Sequence, residues 1–298
     1  MGDRLVRELL TRCTFPPAGT PVVCAVSGGA DSLSLLVLAV EAGCVVTAVH
    51  VDHGLREGST AEARIVEETA RRYGASFRAE RVTVEPGPNL EARARAARYA
   101  VLPPDALLGH TADDQAETVL LNLLRGAGLE GLAGMRRDGR RPLLDLRRSE
   151  TRALCAELGL EVVEDPMNLD PSLRRNRVRT ELLPLLADLA GRDVVPLLCR
   201  QADLVRAAAE LLDELASGID PTDARALAGA PPVMSAVAVR NWLRGCSPEW
   251  HPPSLATVER VLAVAAGEAK GTEVGGGWRV DRSGQRLRLH RAAPEDER

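Results

Sequence analysis

Ser27-Gly28-Gly29-Ala30-Asp31-Ser32 sets two glycines, two hydroxyls and a carboxylate in six consecutive residues. Glycines let a backbone turn tightly and approach a ligand, amides at a helix start point outward, and the helix dipole favours an anion there. No lysine in the loop reaches for a terminal phosphate, so the stretch suits a pyrophosphate held as a unit and released. Asp31 beside phosphate makes sense with Mg2+ between them. Three further blocks could do chemistry. His50-Val51-Asp52-His53-Gly54-Leu55-Arg56 offers two imidazoles, a carboxylate and a guanidinium. His110-Thr111-Ala112-Asp113-Asp114-Gln115-Ala116-Glu117 offers an imidazole and three carboxylates, and continues to Gly131-Leu132-Ala133-Gly134-Met135. Asp165-Pro166-Met167-Asn168 precedes Arg174-Arg175-Asn176-Arg177-Val178-Arg179, four arginines in six residues without an acid. Each block alone has a plain structural explanation as a turn, a complement to a helix dipole or a solvated face.

The elements that must position these blocks alternate in type. Val22–Val26 reads as a strand, Leu33–Ala42 as a helix and Val45–Val49 as a strand, a βαβ unit. The pattern continues through a helix at Ser59–Tyr73, a strand at Phe77–Val84, a helix at Leu90–Ala100, a strand at Ala106–Gly109 and a helix at Asp113–Leu124. Continuous apolar strands separated by helices predict an α/β domain with a doubly wound parallel sheet, and the blocks then fall at strand carboxyl ends, where such sheets bind ligands. Between Met135 and Arg148 stand Arg136, Arg137, Arg140, Arg141, Arg147 and Arg148 against Asp138 and Asp145, a local net of +4. Beyond Pro184 the chain turns helical at Val194–Leu215, Val233–Leu243 and Leu255–Ala266, and closes on an expected hairpin at Glu273–Val280 and Gln285–His290. The boundary is placed near residue 190, giving domains 1–190 and a smaller, mainly helical 191–298.

Composition removes several classes of function. The 298 residues carry 38 Lys+Arg against 42 Asp+Glu, a net of −4, so any basic surface is local. Lys270 is the single lysine, and its context fits neither a Walker loop, a kinase strand lysine nor Schiff-base chemistry. Seven aromatic residues (Trp 3, Tyr 2, Phe 2) are too few for base-stacking platforms. The six cysteines form no Cys-x-x-Cys pair, which argues against structural zinc, iron–sulfur ligation and a disulfide framework. With no signal peptide and no long apolar run, the expected location is cytoplasmic, without membrane contact.

The loop matches all five specified positions of Ser-Gly-Gly-x-Asp-Ser and so resembles the PP-loop ATP pyrophosphatase superfamily, whose members cleave ATP between the α and β phosphates. With the three other blocks, residues 20–190 resemble the tRNA(Ile)-lysidine synthetase family, in a short form. Met167, Leu173 and Thr180 depart from that family's pattern. The resemblance implies ligation of L-lysine to C2 of the wobble cytidine of a CAU-anticodon tRNA(Ile), with ATP and Mg2+, through an adenylated cytidine. It implies nucleotide binding by Ser27, Gly28, Gly29, Ala30, Asp31, Ser32, His50 and His53, with Asp31 toward the metal. It also implies an acidic clamp for lysine and cytidine at His110, Asp113, Asp114 and Glu117, and charge stabilisation by Arg56, Arg175 and Arg179. Arg93, Arg95, Arg98, Arg136, Arg137, Arg140 and Arg141 are the candidates for holding tRNA by its phosphates. A homodimer is carried as a prior. The rival readings are a PP-loop tRNA cytidine thiolase, an ammonia-using adenylating synthetase and a nucleotide-binding regulator that does no chemistry.

Overall fold

A computed structural model describes residues 2–52, 59–83, 90–164, 167, 170–246 and 253–292. The chain divides into two compact units, Met1–Leu204 and Val205–Arg298. In the first, strands β1 (Pro21–Ala25), β2 (Val45–Asp52), β3 (Ser76–Arg81) and β4 (Leu107–Leu108) form one sheet in the order β3-β2-β1-β4. Every pairing is parallel, with Ala25 level with both Val49 and Leu108. The connections are α2 (Ala30–Glu41), α3 (Ser59–Arg72) and α4 (Leu90–Val101), and α1 (Gly2–Leu10) precedes the sheet. Chain order reverses where β1 meets β4, which opens the crevice that parallel sheets use for ligands.

Alternation along the strands shows why they read as continuous apolar runs. Cys24, Val26, Val46 and Ala48 join the large core containing Leu33, Leu36, Leu143 and Leu154, whereas Val23, Ala25, Val49 and Val51 pack with Leu102 and Ala106. Both faces are covered, as parallel sheets require. Helix α2 is buried along its length, and its fully enclosed Ser34 hydroxyl is satisfied by Thr151 O at 3.1 Å. Full burial of each leucine contributes roughly 1.5–3 kcal/mol.

After β4 come α5 (Ala112–Leu124), the single turn α6 (Leu129–Leu132), α7 (Arg148–Glu157) and α8 (Arg174–Arg177). A π-helical segment, Val178–Leu182, joins α8 to α9 (Leu183–Ala190). Helix α10 (Val195–Ala216) contains the division between the units, C-terminal to the boundary expected near residue 190. The reason is packing: Leu183, Val194 and Val195 share a core cluster with Ala112, Ala116 and Leu120 of α5.

The second unit contains α11 (Ala224–Gly229), α12 (Pro232–Cys246) and α13 (Leu255–Ala266), followed by β5 (Gly271–Gly275), β6 (Trp278–Ser283) and β7 (Arg286–Arg291). Val258, Val261 and Val264 form one stripe of α13 and pack with Val239, Leu243, Val274, Val280 and Leu287. The expected hairpin is a three-stranded antiparallel sheet in the order β5-β6-β7. Gly275, Gly276 and Gly277, with φ of 101°, 58° and 74°, turn the chain inside the stretch expected as one strand. No helix among the described residues is long and apolar enough to cross a membrane.

Candidate active site

The glycine loop joins β1 to α2 as its sequence requires. Gly28 has φ +91°, and a Cβ there would lie 2.6 Å from Val163 Cγ2. Ser32 Oγ closes the loop, accepting from Ser27 N at 3.1 Å and donating to Gly29 O at 2.8 Å. No side chain caps α2 at Gly29, which leaves its opening amides to a ligand. The end of β4 lies directly against this turn. A Cβ on Gly109 would stand 2.7 Å from Asp31 O, so glycine is what lets the end of β4 meet the first turn of α2.

His50 sits at the same end of β2, only 2% exposed. Its Nδ1 lies 3.0 Å from Val26 O, and since a carbonyl only accepts, Nδ1 carries the proton. In the neutral ring Nε2 is then an acceptor, and it is buried and without a hydrogen-bond partner among the described residues. A buried bare acceptor beside the loop is compatible with the expected contact to a nucleotide. His53 and Arg56, with Asp165, Pro166 and Asn168, lie outside the described residues.

The acids of α5 divide into two tasks. Asp113 turns to α7: its carboxylate accepts from Arg147 Nε and Nη2 at 3.0 and 3.1 Å and from the Arg148 backbone N–H at 2.8 Å. It thereby caps a neighbouring helix. Burial opposes its ionisation, but the Arg147 fork and the Arg148 amide outweigh that and hold it below the ordinary aspartate value. Asp114 spends Oδ2 on the start of its own helix, accepting from Thr111 N and Oγ1 at 2.9 and 3.0 Å. Its Oδ1 accepts from Arg148 Nη2 at 2.8 Å and Arg175 Nη2 at 3.2 Å. Despite burial, Arg148, Arg175 and His110 keep this carboxyl low as well.

Glu117, with no exposed surface, lies among three guanidiniums. Arg148 Nη1, Arg175 Nε and Arg179 Nε approach it at 2.9, 2.7 and 2.8 Å. Arg175 and Arg179 are one helical turn apart, which puts them on one face, whereas Arg177 pairs outward with Glu181. Arg148 also reaches Asp31 through Nε at 3.4 Å, and the Thr151 hydroxyl donates to the other Asp31 oxygen. Burial, with Asp114 nearby, still pushes the Asp31 carboxyl above its usual range. The structure thus brings Asp31, Asp114, Glu117, Arg175 and Arg179 into one cluster and turns Asp113 away from it.

Arg148 is the centre of that cluster, and the sequence reading placed it only within a basic segment. Its signal was indirect: three carboxylates within five residues of α5 need cations that the helix itself lacks. Other parts of the same motif are braces. Gln115 accepts from Met135 N at 2.7 Å and donates to Ala133 O at 3.3 Å, and Asn122 donates to Gly131 O at 2.7 Å. Asn176 ties down Met167 O and Asp170 O at 2.8 and 2.9 Å.

Three of the arginines expected on RNA have partners within the chain. Arg137 forks onto Asp145 and Asp203, Arg141 pairs with Asp138, and Arg140 lies over the Tyr99 ring at 5.9 Å. Arg136 is exposed and Arg93 half-buried, while the side chains of Arg95 and Arg98 lie outside the described residues. The local net of +4 is therefore less of an open basic face than the sequence suggests.

The model of the PP-loop domain matches residues 4–186, a span containing the whole cluster. The tRNA(Ile)-lysidine synthase of Nocardia farcinica is 46% identical over 245 residues, covering 77% of each chain. The chain belongs to the tRNA(Ile)-lysidine synthase family. A second member, from Rhodococcus erythropolis, is 41% identical over 274 residues, 86% of this chain and 84% of that one. The U34-tRNA thiolase NcsA of Methanococcus maripaludis shares the fold, with a TM-score of 0.53 and 19% identity over 69% of this chain and 78% of its own.

Proposed function

We propose that the protein ligates L-lysine, through its ε-amine, to C2 of the wobble cytidine of a CAU-anticodon tRNA(Ile), converting ATP to AMP and pyrophosphate. The observation that carries this reading is the convergence of Asp31, Asp114, Glu117, Arg148, Arg175 and Arg179 beside the glycine loop. Cytosine O2 is a poor leaving group, so it first attacks the α-phosphate and expels pyrophosphate. The lysine amine then attacks C2, the C–O bond breaks, AMP departs and the amine proton is lost.

The chain's own groups suit both steps. Amides opening α2, with the Ser27 hydroxyl, suit the departing pyrophosphate, and guanidiniums at the cluster offset its growing charge. His50 Nε2 offers the nucleotide an acceptor. Asp114 and Glu117 hold the cationic amino acid, and fixing its amine against C2 supplies about 7–11 kcal/mol of barrier reduction by proximity. Arg136, Arg174 and the second unit are the candidates for tRNA phosphates.

Mg2+ fits the loop's donors. Asp31 is a single carboxylate flanked by hydroxyls, and Mg2+ takes one or two carboxylates together with phosphate oxygens and water. Phosphate oxygens and water would complete such a site around Asp31. When bound, the ion would spread the negative charge of the leaving pyrophosphate.

The test is pyrophosphate release from ATP with tRNA(Ile) bearing CAU, with methionine tRNA and without RNA, each with and without labelled lysine. Release that depends on tRNA(Ile), with label entering the RNA, is the expected result. Release with another acceptor sinks the substrate assignment, and none under any condition favours the regulator.

A further inference from the structure

The cluster is balanced in charge, which is unexpected for a site that receives a cation. Asp31, Asp114 and Glu117 face Arg148, Arg175 and Arg179, three acids against three arginines. A lysine ammonium arriving at Asp114 or Glu117 would add a positive charge where Glu117 already accepts from three guanidiniums. It would also lose hydration on entering a place with little solvent, a cost that the carboxylates offset only where they have an acceptor position to give the ammonium.

Arg148 joins the two halves of the site. Its Nη1 and Nη2 hold Glu117 and Asp114 at 2.9 and 2.8 Å, and its Nε faces Asp31 of the phosphate loop at 3.4 Å, the longest of the three contacts. Arg175 and Arg179 touch the acids of α5, and neither is hydrogen-bonded to Asp31 among the described residues. The Arg148 backbone is fixed, because its N–H donates to Asp113 at 2.8 Å as α7 begins. Any response to a ligand therefore falls to the side chain. Guanidinium forks match phosphate oxygens bidentately, and a nucleotide triphosphate in the loop presents several negative charges close to Asp31.

We propose that Arg148 is an internal cation that keeps the lysine subsite closed until a nucleotide's phosphates draw it away. Its departure removes one of the three guanidiniums that Asp114 and Glu117 share with Arg175 and Arg179, and the lysine ammonium takes the vacated place. Nucleotide binding thus creates affinity for lysine, and by linkage lysine strengthens nucleotide binding by the same factor. Free lysine is kept out of the site until an adenylating agent is in place. The proposal rests on the assignment of Asp114 and Glu117 to lysine.

The experiment is calorimetric titration of the full chain with L-lysine, with and without Mg2+ and an ATP analogue whose α–β bridge is methylene. Wild-type protein should bind lysine at least tenfold tighter with the analogue, a factor equivalent to about 1.4 kcal/mol. In Arg148→Met the nucleotide-free affinity should rise toward the nucleotide-bound value, with coupling below about threefold. Arg148→Lys, which keeps a charge but cannot span three carboxylates, should move the same way and covers the case in which Arg148→Met does not fold. Equal lysine affinity with and without analogue in wild type, or undiminished coupling in the variants, overturns the gate. If lysine binding is unaffected by Glu117→Gln and Asp114→Asn in either state, the subsite itself is wrong and the gate falls with it.

Discussion

Replacing Glu117 by glutamine keeps the shape of a fully buried side chain and removes the charge that three arginines share. Each of Arg148, Arg175 and Arg179 has a hydrogen bond of 2.7–2.9 Å to this carboxylate. Removing one partner of a buried ion pair costs about 3–5 kcal/mol. The guanidinium side chains are 15%, 28% and 26% exposed, so they can turn partly toward water, and the lower end, about 3 kcal/mol, is the reasoned figure. For a unit of this size that corresponds to a fall in Tm of roughly 6–12 °C. Thermal unfolding by circular dichroism reads it directly. Glu117→Gln combined with Arg179→Gln restores charge balance and should lose less stability than the sum of the two single changes. A Tm shift below about 2 °C in the single variant, or simple additivity in the double, refutes the argument that a shared charge holds the arginines together.

Other consequences are open to measurement. Asp113 ionises more readily in the folded protein than in the unfolded chain, so its stabilisation is full above the ordinary aspartate value of about 4 and lost as pH falls through the lower folded value. Asp113→Asn should lower stability at pH 7 and flatten the acid limb of a Tm-against-pH curve; an unchanged limb would show that Arg147 does not hold it. Gly109→Ala sets a methyl against the Asp31 carbonyl and should depress pyrophosphate release at least tenfold while far-ultraviolet dichroism stays unchanged. Arg136→Ala should reduce the salt slope of tRNA binding by about 1, whereas Arg137→Ala, which breaks pairs to Asp145 and Asp203, should act mainly on Tm.

Strand-end motifs were legible because period and punctuation are local. The Val22–Val26 and Val45–Val49 runs, the Gly-Gly turn and the acids of α5 all lie where their neighbours in sequence dictate. Arg148 was not, because its partners stand 31, 34 and 117 residues away and only the fold returns them to one place. The separate fates of Asp113 and Asp114 were hidden for a related reason. Adjacent helical residues point about 100° apart, so a pair of acids in sequence is not a pair in space. The three-glycine turn was visible in the sequence, but β-branched residues on both sides made one strand the simpler reading.

The π-helical stretch Val178–Leu182 lies where a rod carries two faces with different duties. Arg175 before it and Arg179 within it address Glu117, while Val178 within it and Leu183 and Leu186 after it pack against the apolar side of α5. One residue gained or lost in a helix rotates everything downstream by about 100°. A wide turn at this point therefore works as a vernier, letting the electrostatic face and the packing face of one continuous rod be brought into phase separately. The same rod can then hold a charged network in register on one side without dictating how the next helix seats itself on the other.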